Sequence, residues 1–72
     1  LSDIRREKMS FGKRLKLARK LASLTMKDLA AKVNLSALKV SKFERDLAEP
    51  TSEQLNDLAK ALDVNVNFFF EE

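Results

Sequence analysis

The side chains of this chain that can do chemistry are cations. Fourteen Lys and Arg stand beside eleven Asp and Glu, with neither His nor Cys. Without those two residue types, disulfides, thiolate sites and the usual zinc sets are excluded, as are most nucleophile and general-base arrangements. What remains is recognition of anions by ammonium and guanidinium groups, so no catalytic residues, metal or cofactor are expected. The net charge of +3 conceals a division. Residues 1–45 hold 13 basic against 4 acidic side chains, a balance of +9, whereas residues 46–72 hold 1 against 7, a balance of −6. One half suits a phosphate-bearing surface and the other is turned away from it. Charge-rich solvated helices would give the same composition with no partner at all.

Cations select a partner only if something rigid carries them, and the stretch over residues 25–44, TMKDLAAKVNLSALKVSKFE, reads as such a carrier. Thr25 offers an N-cap hydroxyl and Asp28 completes a capping box. Leu29, Ala30 and Val33 recur at helical spacing. Asn34 stands where a helix ends on a left-handed residue, and Ser36 caps the helix that follows. That second helix buries Val40 and Phe43 and leaves Ala37, Leu38, Lys39 and Lys42 pointing elsewhere. Two helices joined at Asn34-Leu35-Ser36 cross steeply, which requires a small residue such as Ala30 at the crossing. Helix, short turn, helix is the helix-turn-helix arrangement, whose second helix can lie in a DNA major groove.

The rest of the chain supports one small domain, and 72 residues suffice only if the packing is helical and economical. One Gly and one Pro argue for long helices with few turns, and the scarcity of alternating β-branched runs argues against sheet. Residues 1–9 are either an arm presenting Arg5, Arg6 and Lys8 to a neighbouring groove or, preferably, a frayed or tag-derived segment, with Met9 a natural start. From residue 10 to 22, Phe11, Leu15, Ala18 and Ala22 define a core stripe, with Lys13, Arg14, Lys16 and Lys20 on other faces. Leu17 and Leu21 lie beside that stripe as an i, i+4 pair. They pack on the terminal segments or else offer a partner surface. Residues 45–50 form a loop ahead of Pro50. Thr51 and Gln54 open a last full helix with Leu55, Leu58, Ala59 and Leu62 inward. Asn65 or Asn67 caps a final turn bearing Phe68, Phe69 and Phe70, which cannot all face one way. No apolar run approaches membrane-spanning length and no signal peptide is visible, so the expected location is the cytoplasm.

With FGKRLKLARK, LTMKDLA, NLSALKVSKFE and PTSEQLNDLAKALDV in this order, residues 10–70 resemble the phage repressor and Cro-type helix-turn-helix regulators of the bacterial XRE family. The resemblance implies an all-α, lambda-repressor-like bundle of about five short helices over residues 10–72. It also implies sequence-specific binding of double-stranded DNA, usually as a homodimer on a near-palindromic operator, in a repressor-like regulator. The family's base-facing positions fall on Ser36, Ala37, Leu38 and Lys42, its backbone contacts on Met26, Lys27, Lys39 and Arg45. An ammonium at Lys42 suits guanine acceptors, and Ala37 and Leu38 suit thymine methyls. Arg19 and Glu44 match positions that often form an ion pair in the family, although two solvated surface charges would look the same in sequence. The chain departs from the family at Met26, usually Gln, at apolar Ala37 and Leu38, and in the loop Asp46, Leu47, Ala48 and Glu49, which is commonly Gly followed by basic residues and here would repel phosphate.

A second reading keeps the fold and changes its use. Leu17, Leu21, Leu38 and the Phe run would suit a protein-interaction or dimerisation module, with a further domain or partner at the Phe68–Phe70 end of a longer protein.

Overall fold

A computed structural model describes residues 9–70, so Arg5, Arg6 and Lys8 of the expected arm lie outside the described residues. The described residues form α1 (Phe11–Leu21), α2 (Met26–Lys32), α3 (Ala37–Glu44), α4 (Ser52–Leu62) and a closing 3-10 helix (Val66–Phe70). This is the expected all-α bundle, with its fifth helix tightened to 3-10 geometry. No helix among the described residues is long and apolar enough to cross a membrane.

Each α-helix starts on a hydroxyl. Ser10, Thr25, Ser36 and Thr51 accept from the amide three residues on, at 3.2, 3.0, 3.1 and 3.1 Å. Thr25 with Asp28 and Thr51 with Gln54 close full capping boxes. The Thr25 amide, bonded to the Asp28 carboxylate, holds that carboxyl below its ordinary range.

The ends of the helices overturn one expectation. Scarce Gly and Pro predict long helices, yet these run from seven to eleven residues. The corners are made by Ser23, Asn34, Asp46 and Asp63, all left-handed with φ between 57° and 61°. After each comes an apolar residue whose amide bonds back five positions, from Leu24 to Arg19, Leu35 to Ala30, Leu47 to Lys42 and Val64 to Ala59, at 2.8–3.1 Å. These are Schellman closures built without glycine.

The core gathers Leu15, Ala18, Leu29, Ala30, Val33, Val40, Phe43, Leu58, Ala59, Leu62 and Phe69. Ala22, expected in the α1 stripe, is exposed because the helix has already ended. In its place Gly12 and Arg19 join the buried face of α1. Leu21 is 72% exposed and Leu17 is half-buried outside the core cluster, and most of the terminal segments expected to cover them lie outside the described residues.

The three consecutive phenylalanines divide as the geometry of a tight helix requires. Phe69 is 1% exposed and meets Phe11 edge-on at 5.4 Å, Phe68 is half-buried, and Phe70 remains 60% exposed. Asn65, rather than Asn67, caps this turn, its side-chain oxygen accepting from the Asn67 amide at 2.8 Å. Arg14 clasps the turn to α1, donating to the Phe68 carbonyl at 2.8 Å with its guanidinium 4.2 Å above the Phe68 ring.

Candidate nucleic-acid interface

The surface is built around α3, an eight-residue helix fixed on one side only. Val40, Phe43 and Glu44 are its buried residues. On the other side Ser36, Ala37, Leu38 and Lys42 are all exposed, Leu38 by 61%. These four candidate base-facing residues therefore share one uncovered surface at the start and along the flank of α3.

The candidate backbone-contacting residues divide. Lys27 and Arg45 are exposed, and Arg45 is steadied by a long bond from its Nε to the Ser41 carbonyl at 3.4 Å. Lys39 is half-buried, its ammonium drawn over the Phe43 ring at 5.6 Å. That contact keeps the charge at the edge of α3 and not extended into solvent. Met26 is half-buried against the core, so its thioether belongs to the packing. Its backbone offers more. Asp28 and Thr25 satisfy each other's amides, while among the described residues those of Met26 and Lys27 find no partner at the start of α2. Unpaired amides at a helix start are donors for an oxyanion.

Two connections hold α3 against α1. Arg19 and Glu44, each 7% exposed, form a two-pronged pair, Nε to Oε2 at 2.5 Å and Nη2 to Oε1 at 3.1 Å. The remaining Arg19 nitrogen, Nη1, donates to the Leu24 carbonyl at 2.9 Å, so the pair also ties in the corner before α2. Charges this deep are tolerated because each is hydrogen-bonded, and among the described residues no buried side-chain nitrogen or oxygen lacks a partner. The second connection is at Gly12. A Cβ there would stand 2.5 Å from the Glu44 carbonyl oxygen and 2.6 Å from that of Phe43, so the last turn of α3 lies directly on the backbone of α1. The amide of Gly12 donates to Asp46 Oδ1 at 2.9 Å.

Gly12 is not among the residues singled out from sequence, and Asp46 is singled out only as part of a loop that would repel phosphate. The signal for the first was present, since a lone glycine inside a helical pattern marks a close backbone approach. Asp46 was visible there only as a charge in a loop. Its carboxylate, expected to repel phosphate, is bonded to the start of α1. Among the described residues no group of acidic side chains is placed to hold a metal ion.

Known proteins are similar to this chain in sequence and fold. A curated relative, the HTH-type transcriptional regulator ImmR of Bacillus subtilis (strain 168), is 38% identical over 60 residues, covering 83% of this chain and 47% of its own length. The chain thus spans about half the length of that relative. Among solved structures, the P22 c2 repressor in complex with a synthetic operator superposes with a TM-score of 0.82 at 29% identity, over 86% of this chain and 94% of that one. The N-terminal DNA-binding domain of SinR from Bacillus subtilis gives 0.78 at 30% identity, over 86% and 91%. The helix-turn-helix family matches residues 15–69, from within α1 to the closing 3-10 turn, and this chain belongs to it.

Proposed function

We propose that this chain is the DNA-binding domain of a transcriptional regulator, reading double-stranded DNA in the major groove with α3. The observation that carries this reading is the uncovered side of α3, where Ser36, Ala37, Leu38 and Lys42 stand together while the opposite side is fastened to α1 and the core. Lys42 donates to base acceptors, Ala37 and Leu38 meet thymine methyls, and Ser36, whose oxygen accepts from Lys39, still has a proton to donate. Lys27, Arg45, Lys39 and the free amides at the start of α2 hold the phosphates on either side. The similarity to an operator-bound repressor and to a DNA-binding domain supports the same use. The binding unit is a homodimer on a near-palindromic site, acting in the cytoplasm. Exposed Phe70 is where a further domain or partner protein attaches.

Leu38 favours one rival, an interaction module, because it puts a large apolar side chain where polar readers are usual. Selection of bound duplexes from a random pool decides between the two. The expected result is an enriched motif with two-fold symmetry, and Lys42→Ala should relax preference at one position in each half-site by roughly 1–3 kcal/mol. A pool that returns no motif would remove the DNA reading.

A further inference from the structure

We infer that Asp46 is a positioning residue for the recognition helix, acting through a carboxylate-to-amide bond between the end of α3 and the start of α1. This rests on the DNA-binding reading for its consequence, though not for its geometry.

Three independent observations meet at Asp46. Its backbone is left-handed at φ 60° and closes α3, with its own amide bonded to the Phe43 carbonyl at 3.1 Å and the Leu47 amide bonded to that of Lys42 at 2.8 Å. Left-handed geometry alone would favour glycine there. Its side chain reaches across the fold and accepts from the Gly12 amide at 2.9 Å. Gly12 is itself the point at which α1 and α3 touch backbone to backbone.

The electrostatics give the bond its purpose. The first turns of α2 and α4 hold Asp28 and Glu53, whereas those of α1 and α3 hold no acidic residue, and only that of α1 receives one from elsewhere among the described residues. Ser10 satisfies the Lys13 amide, and Asp46 satisfies the Gly12 amide between them. A carboxylate borrowed from 34 residues away thus serves as the acidic group at the start of α1. Because it belongs to the residue that ends α3, the same bond fixes how α3 leaves α1. The Arg19–Glu44 pair grips α3 at its last residue. Asp46 adds a further point two residues beyond, on the same α1 residue that the Phe43 and Glu44 carbonyls press against. Arg45, between them, is exposed and bonds back to the Ser41 carbonyl.

Substitutions separate the carboxylate's roles. Asp46→Asn keeps an oxygen acceptor and tolerates the left-handed backbone. Asp46→Gly relieves the backbone and deletes the acceptor, so its thermal stability stays near that of the parent. Both remove the negative charge. If Asp46 matters only as a repulsive charge near DNA, both variants bind all duplexes more tightly and alike. If it positions α3, Asp46→Asn retains the parent's preference for selected over random duplex, while Asp46→Gly loses on the order of tenfold of it. Residual dipolar couplings of α3 relative to α1 should shift in Asp46→Gly alone, together with an upfield move of the Gly12 amide proton. Couplings that stay unchanged in Asp46→Gly overturn the inference whatever the duplexes show. Shifted couplings with an unchanged preference overturn its functional half. Should the parent select no duplex, the DNA reading fails separately, and the couplings still decide whether the bond sets the helix angle.

Discussion

At the scale of single residues, Arg19 and Glu44 show how an ion pair can be both costly and indispensable. Each is 7% exposed, and an apolar pair of similar volume would escape their desolvation. Their value lies in joining three places at once: α1, the end of α3, and the Leu24 carbonyl at the corner before α2. Removing either partner strands the other in the interior. Arg19→Ala and Glu44→Ala should each lower stability by about 3–5 kcal/mol, and the double variant should cost clearly less than the two together. Thermal or denaturant melts of the four proteins measure this coupling, and simple additivity would contradict it.

At the scale of elements, the helices are defined more by their ends than by their lengths. Ser23 is the least suited of the four left-handed residues, since Asn and Asp tolerate that region better. Ser23→Gly should therefore raise stability by about 0.5–1 kcal/mol, read as a higher melting temperature with an unchanged denaturant slope. The contrast explains what the sequence makes legible. A capping box is contained in four residues, so those at Thr25 and Thr51 can be seen directly in the chain. Asn34 signals its corner through residue type. A serine in the same conformation sends no such signal, which is why the α1 stripe is extended to Ala22 when the helix has already stopped. The Gly12–Asp46 bond joins residues 34 apart, and no local pattern encodes it. For the candidate interface, the inward side of α3 fixes its outward side, so the shared exposure of Ser36, Ala37, Leu38 and Lys42 is legible in the sequence. Met26 and Lys39 are less so, because their long side chains fold back onto the protein.

For the whole molecule, the division of charge sets the expected behaviour with DNA. The segments bearing α1 to α3 are strongly basic, whereas α4 has Lys60 as its single basic residue and carries Glu53 and Asp57. Affinity for duplex should fall steeply with salt. Lys27→Ala should weaken all sequences alike and reduce the slope of log affinity against log salt by about one, unlike Lys42→Ala. Titrations at several salt concentrations test both, and an unchanged slope in Lys27→Ala would place that residue away from the phosphates.

The closing turn has a further consequence for where such a chain can be cut. Phe69 supplies a core ring for Phe11, and Arg14 takes hold of Phe68, so the first described helix is completed by the last described turn. Truncation before Phe68 would strip the Phe69 ring from Phe11 and the Phe68 carbonyl from Arg14, so a chain cut there should melt lower than one that keeps the turn.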